Sequence, residues 1–286
     1  MKLVGKVLAA IVLVAVVAFG AAVLLVRHAV NDGRVPVAAS TDQLFAPGAP
    51  HVVMAVWAHP DDEVTSAGTL ARLAHDGARV TLVYFTHGEG AHFTGFTSDQ
   101  LYRMRPEEAK AAGRALGIQD VVVLDYGDGK LPRADADRAK ADLSALIAAR
   151  RPSTVISFDE RVGYYGHPDH AQVGRWTAEV IRAGGADPGY PVKRLYQATL
   201  PAPAIALARK YIAAFRNHYP ADPAKGLPPP TLAVPIASQA AAKRAVLEAH
   251  SSQVKVIDDV QPGGRKLPAW LYYRIFDREY FALAAD

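Results

Sequence analysis

Apolar residues are distributed along this chain in two kinds of run. The first, Val7 to Val26, carries no charge over twenty residues. At about 1.5 Å of rise per helical residue, it is long enough to cross a hydrocarbon core of roughly 30 Å. The others are short and rich in β-branched residues: Val52 to Trp57, Val80 to Phe85, Val121 to Leu124 and Thr154 to Phe158. Hydrophobicity that is continuous rather than alternating predicts strands covered on both faces, as in a parallel sheet. Helical patterns separate these runs, roughly Glu63 to Asp76, Pro106 to Leu116 and Asp135 to Arg150, with Pro106 suited to a first turn and Gly77 and Gly117 placed as stops. Strand and helix in alternation predict an α/β fold with a doubly wound, mostly parallel, Rossmann-like sheet behind an N-terminal transmembrane helix.

The chain then divides into an anchor over residues 1–30, a linker over 31–50 and a folded domain over 51–286. The linker reading rests on small, polar, proline-punctuated composition. A cleaved signal peptide is the rival account of the apolar run, but such a peptide has a hydrophobic region of only about 7 to 15 residues, and no small-x-small site directly follows Val26. Lys2 and Lys6 before the run nearly balance Arg27 and Arg34 after it, so charge bias does not fix the side. The short leading tail is compatible with insertion amino-end-in, which places the domain on the extracytoplasmic side of the membrane.

Composition narrows the chemistry. Half of the 286 residues are hydrophobic and 21% are charged, as in a globular domain. There is no cysteine, which removes thiolate ligands and thiol nucleophiles. A net charge of +4 without a basic run argues against a nucleic-acid partner. No Gly-x-Gly-x-x-Gly follows the first strand and no phosphate loop is present, so nucleotide binding loses support.

Polar clusters follow each expected strand: His59 to Glu63, Thr86 to Gly90, Asp125 to Gly129, and Asp159 to His170. In open α/β sheets ligands bind beyond the carboxyl ends of the strands, so four loops are expected to meet in one crevice. Imidazole and carboxylate together suit a borderline divalent ion, and a catalytic zinc takes three protein ligands with one position open. A His-Pro turn with an acidic helix cap is also an ordinary way to leave a sheet, so either cluster alone has a structural explanation.

Ala58-His-Pro-Asp-Asp-Glu63 together with Gly166-His-Pro-Asp-His170 resembles the PIG-L/LmbE-like family of zinc-dependent N-acetylglucosamine deacetylases. Thr86-x-Gly88-Glu89, Arg105 and Glu108, Asp125 to Gly129, and His250-x-Ser252-Gln253 extend the likeness over roughly residues 51 to 255. The resemblance implies metal ligation by His59, Asp62 and His170, with Zn2+ as the cofactor and Fe2+ another metal this donor set accepts. It implies Asp61 as general base on the attacking water, although Asp is also a strong helix cap. His167, oriented and held protonated by Asp169, is expected to stabilise the oxyanion or protonate the leaving amine, and Tyr165 to polarise the acetyl carbonyl or simply to pack. Arg105, Asp128 and Glu89 are expected to contact substrate, and Glu63 to sit at a helix N-terminus outside the ligand set.

The expected activity is removal of an acetyl group from an N-acetylated amino sugar or glycoconjugate. The alternatives are an amidase on another sugar- or thiol-conjugate, or a non-catalytic carbohydrate-binding membrane protein. His87 and His92 are not counted as ligands. Pro201 to Pro230 departs from the shorter family pattern and reads as a lid, a packed appendage or, with Arg209, Lys210 and Arg216, a membrane-surface element. Trp270 to Leu283 is expected to close the core.

Overall fold

The computed structural model describes residues 2–91 and 94–285, so His92 lies outside the described residues. Among them, seven strands form a single sheet: β1 (Val52–Trp57), β2 (Arg79–Thr86), β3 (Asp120–Tyr126), β4 (Thr154–Ser157), β5 (Arg194–Thr199), β6 (Leu232–Pro235) and β7 (Arg278–Ala285), in the order β3-β2-β1-β4-β5-β7-β6. The first five are parallel, while β7 runs antiparallel to both β5 and β6. The sheet is therefore mixed at its C-terminal edge. The chain reverses direction across the sheet between β1 and β4, which opens a crevice at their carboxyl ends.

Alternate residues of β1 serve the two faces of the sheet. Val53, Ala55 and Trp57 join one buried cluster with Leu70, Leu73 and Ala112; Met54 and Val56 join another with Leu143, Ile147 and Trp176. The first layer comes from α2 (Ala67–His75) and α3 (Ser98–Ala115), the second from α4 (Ala136–Arg150) and α6 (Pro168–Gly184), the latter following a single turn, α5 (Gly163–Gly166). The remaining helices are α7 (Ala202–Tyr211), α8 (Ala213–His218), α9 (Ala240–Ala249), α10 (Val254–Val260) and α11 (Ala269–Ile275). The segment expected to close the core thus splits into α11 and β7.

Two boundaries differ from expectation. Pro106 lies inside α3 rather than in its first turn, because a Thr97 and Gln100 capping box starts the helix two turns earlier. Proline has no N–H for the Tyr102 carbonyl one turn back, and that carbonyl instead meets His87 Nδ1 at 2.9 Å, with the two rings stacked. His87 is thereby occupied in structure. The 31–50 segment is no tether: Leu44 and Phe45 are buried, the Ala38 N–H donates to the Ala233 carbonyl at 2.8 Å, and the Ala233 N–H donates to Pro36 at 2.8 Å. It pairs along the edge of β6, where its apolar side chains find a core that composition alone does not reveal.

Upstream stands α1 (Lys2–Val30), whose most apolar 18-residue stretch has a mean hydropathy of 3.0 and is not buried in the fold, long and apolar enough to cross a membrane. Its last turn is fixed to the start of β7. Arg27 Nε donates to Asp277 at 2.9 Å, Asn31 donates to the same carboxylate at 3.2 Å, and Tyr280 donates to Asn31 at 2.7 Å.

Candidate metal centre and active site

The first His-Asp cluster leaves β1 through a turn in which Asp61 adopts φ 110°, a left-handed conformation that costs a non-glycine residue free energy and needs outside support. That support comes from Glu63, fully buried, whose carboxylate accepts from the Asp61 N–H at 3.1 Å and the Tyr84 hydroxyl at 2.9 Å and pairs with His250. Burial opposes ionisation of Glu63, but His250 outweighs it and holds the carboxyl below its usual range. Arg105 supplies the second clamp: buried, it donates to the Gly88 carbonyl at 2.6 Å and to Pro60, and meets Asp61 Oδ2 at 3.0 Å. Gly88 sits at φ 75°, and a Cβ there would collide with the Arg105 guanidinium.

Within this frame the donor atoms converge. His170 Nε2 lies 3.1 Å from Asp62 Oδ1 and 3.3 Å from His59 Nδ1, and His59 Nδ1 lies 3.6 Å from Asp62 Oδ2. Ligands about 2.0–2.1 Å from a tetrahedral ion stand about 3.3–3.4 Å apart, so the two imidazole nitrogens, 3.3 Å apart, suit one zinc-like cation, with an Asp62 oxygen beside each of them. Their orientations fit as well. His170 Nδ1 is held by the Gly163 carbonyl at 3.2 Å, and His59 Nε2 by Asp128 at 2.9 Å and Asp169 at 3.3 Å, so in each ring the other nitrogen faces the cluster. Asp62 Oδ2 also accepts the Ala58 and His59 N–H groups at 3.0 and 2.8 Å.

Two further donor triads crowd within 4.8 Å, His59 with His167 and His170, and His59 with Asp128 and Asp169. The first would draw on His167, whose Nδ1 already accepts the Asp169 N–H at 3.2 Å. In the second both carboxylates sit against the same ring nitrogen, His59 Nε2, where they act as its hydrogen-bond partners. His59 and His170 could therefore hold a metal together with a third donor from Asp62 or from the free Nε2 of His167.

Electrostatics follow the same division. Burial disfavours the His59 cation, yet Asp128, Asp169 and Asp62 outweigh it and raise its pKa well above 6.5. Burial, helped by Asp62 and opposed by Arg105, lifts Asp61 to about 6. Such a carboxylate is matched to proton transfer near neutral pH. Burial also drives His167 down to about 2, reinforced by His170 and His59. His167 is thus neutral; Asp169 orients it through its backbone N–H, on Nδ1 at 3.2 Å, but the Asp169 carboxylate, expected to keep it protonated, is turned away to His59 and to the Gly129 N–H at 2.7 Å. Burial keeps the Tyr165 hydroxyl protonated, its ring edge-on to His170 at 5.1 Å.

The three residues expected at the substrate lie close by, in supporting positions. Asp128 orients His59. Glu89 accepts the Asp128 N–H at 3.0 Å, and Arg105 is held by protein oxygens, although Asp128 and Arg105 also line the cavity above the cluster. Asp159, in the fourth polar cluster but given no role of its own from the sequence, builds the second His loop by accepting the Arg161, Val162 and Tyr164 N–H groups. Its place directly after β4 was the available signal. Glu108 binds the third motif, accepting from Ser251 at 2.7 Å and the Ser252 N–H at 2.8 Å.

The segment 201–230 forms neither a free lid nor a detached appendage. Phe215 on α8 is buried against Tyr164 and Tyr165, and Leu207 and Ala208 on α7 wall the cavity, whose volume is about 550 Å³.

A doubly wound sheet that presents such a His and Asp cluster beside an elevated carboxylate defines a metal-dependent hydrolase of the α/β class. The chain belongs to the PIG-L family. The model of that family, described as GlcNAc-PI de-N-acetylase, matches residues 54–181. A 1D-myo-inositol 2-acetamido-2-deoxy-alpha-D-glucopyranoside deacetylase of Nakamurella multipartita is 33% identical, covering 81% of this chain and 91% of its own. Among solved structures, N,N'-diacetylchitobiose deacetylase from Pyrococcus horikoshii is 21% identical with TM-score 0.60, covering 82% of this chain and 84% of its own. GalB, a 4-carboxy-2-hydroxymuconate hydratase from Pseudomonas putida, is 20% identical with TM-score 0.59, covering 82% and 96%. The hydratase shows that the fold alone does not choose the reaction.

Proposed function

We propose that this protein is a membrane-anchored, metal-dependent deacetylase acting on an N-acetylated amino sugar within a glycoconjugate. The observation that carries the reading is the convergence of His59 Nδ1, His170 Nε2 and the two carboxylate oxygens of Asp62, in contacts of 3.1 to 3.6 Å, beside Asp61. It is supported by the relatives' shared activity on acetamido sugars.

A zinc or similar ion, when bound, supplies Lewis acidity to the amide carbonyl and to water. Asp61, held by Arg105 and by Glu63 through its own N–H, takes the proton from the attacking water. His167 has Nδ1 engaged with the Asp169 N–H, which leaves Nε2 to donate a hydrogen bond to the developing oxyanion, while Tyr165, protonated, is the second donor on that side. The proton on Asp61 then passes to the departing amine as the carbon–nitrogen bond breaks, giving acetate and the free amino sugar.

The anchor is α1, with the domain on the extracytoplasmic side; a reporter fused to the carboxyl end tests the side. The catalytic reading is tested by measuring acetate release from N-acetylglucosaminides and bound metal with the full chain. Hydrolysis that requires a divalent metal is expected. A metal-replete protein without hydrolysis overturns the reading.

A further inference from the structure

The foot of α1 is where the apolar helix meets the folded domain, and there it packs against α7 and α11. Val26 and Val30 of α1 border the cavity together with Tyr211, at the end of α7, and Phe276, which follows α11, so these positions share one neighbourhood. Outside α1, seven large apolar side chains are exposed among the described residues, and four of them stand on this face: Tyr211, Leu267, Trp270 and Phe276. Trp270 at 63% and Tyr211 at 62% are the most exposed of the seven. Single exposed apolar groups are ordinary, but a cluster of them beside a helix of spanning length marks an interaction surface.

Charge on the same elements is one-sided. Residues 201–219 contain Arg209, Lys210 and Arg216, residues 261–276 contain Arg265, Lys266 and Arg274, and neither segment has an Asp or Glu. The whole chain has a net charge of +4, so these two segments hold more than its entire excess. Two carboxylates close by are engaged within the protein: Asp277 pairs with Arg27 and Arg278, and Asp259 accepts the Ala213 and Ala214 N–H groups at 3.0 and 3.2 Å. The cations accompany the apolar groups. Lys210 Nζ lies 5.1 Å over the Tyr211 ring, Lys266 adjoins Leu267, and Arg274 stands one helical turn from Trp270. Aromatic rings flanked by cations settle at the headgroup layer, and the cations favour anionic lipid.

We infer that this face is a docking surface for an anionic bilayer: α7, the turn before α11 and α11 itself press into the headgroups of the leaflet from which α1 emerges. The domain is then held on the membrane in one orientation instead of swinging on its helix. The inference rests on the reading of α1 as an anchor and is independent of the reaction at the metal centre. Continuity argues for lipid as the occupant, because the patch begins where α1 leaves the hydrocarbon, at the depth that headgroups fill. The Arg27 and Asn31 bonds to Asp277 and the Tyr280 bond to Asn31 fix the helix to the domain, so the spanning helix and the basic aromatic face reach the membrane together.

The test places the full chain in nanodiscs of zwitterionic lipid with or without phosphatidylglycerol. Of the three tryptophans, Trp57 and Trp176 are buried and Trp270 is 63% exposed, so quenching by brominated lipid or by aqueous acrylamide reports on Trp270. In anionic discs Trp270 is expected to be quenched by the lipid and shielded from acrylamide, in zwitterionic discs less so, and both signals are expected to vanish in Trp270→Phe. Salt should release the face, since it screens exposed charges. At the salt concentration that half-releases wild type, Lys210→Gln and Arg274→Gln are each expected to lower the docked-to-undocked ratio by up to about fivefold. Both side chains are exposed, so an unchanged melting temperature is expected alongside. A Trp270 open to acrylamide and unquenched in anionic discs overturns the inference, as does quenching that ignores both the anionic lipid and the two substitutions. Failure of the anchor reading looks different: the protein then washes off the discs in high salt. Binding to anionic vesicles, read through Trp270 with the same variants, decides the face in that case.

Discussion

The floor and the wall of the cavity are built by opposite means. On the floor nearly every polar atom has a partner that fixes its direction: Asp128 aims His59, Gly163 aims His170, and Arg105 and Glu63 hold Asp61 in a backbone conformation it would not adopt unaided. On the wall Leu207, Phe215 and Ile257 are placed by burial and shape, with no directional bonds. Directional bonding gives a centre that tolerates almost no substitution, because each lost partner leaves a buried polar group unpaired. Apolar packing gives a surface that accepts variation at the cost of affinity. Changes to the floor should therefore register in metal content and kcat, and changes to the wall in KM.

The largest effects separate the ligands from the base. His170→Ala is expected to lose bound metal and all measurable turnover. Asp61→Ala should keep the metal and lose roughly 10²- to 10⁴-fold in kcat, the range for a positioned general base. Metal analysis beside steady-state kinetics makes the comparison, and an Asp61→Ala protein that retains full activity refutes the assigned base. Asp128→Asn comes next, since it weakens the acceptor for His59 Nε2. A lost orienting partner typically costs about 10- to 100-fold in metal affinity, so competition with a chelator should show that loss. Unchanged affinity would return Asp128 to a role at the substrate.

How far the site was legible in the sequence follows from the same contrast. The proposed ligands and base stand in two short motifs at strand ends, and continuous apolar runs identify β1 to β4, so strand order alone brings the motifs together. Their partners come from elsewhere. His250 reaches Glu63 across 187 positions, and Arg105 crosses from α3, so only packing reveals what they do. β5 and β7 were illegible because Arg194, Gln197, Arg278 and Glu279 interrupt their apolar patterns, and β6 is four residues ending in Pro235. Thr199 of β5 and Arg278 to Tyr280 of β7 also line the cavity, and the link of β7 to α1 was hidden with them.

Arg105→Gln probes the floor through proton affinity. Asp61 has a pKa near 6 as burial lifts it, Asp62 lifts it further and the guanidinium restrains it. A base must be ionised to act, so kcat/KM should fall as pH drops through that region, with the limb displaced lower by a cation at the cluster. Removing the guanidinium takes away an interaction that favours the carboxylate, so the limb should move to higher pH. A limb that stays in place would mean Arg105 acts on Asp61 by position alone.

The smallest effect is expected where floor and wall both end, at the foot of α1. Arg27 Nε donates to Asp277 at 2.9 Å, but the Arg27 side chain is 40% exposed, and solvent screens such a pair to about 0.2–1 kcal/mol. Asp277 is not orphaned by Arg27→Ala, because Arg278 Nε remains at 3.0 Å and Asn31 at 3.2 Å. The melting temperature should therefore fall by no more than about 4 °C, given the usual scaling of Tm with stability. Activity on a methyl glycoside should change little, because the lost bond frees only Val26 and Val30, which lie on the wall away from the His and Asp cluster. A thermal shift much larger than this, measured with the full chain, would show that the helix is part of the folding core and that the wall is held as rigidly as the floor.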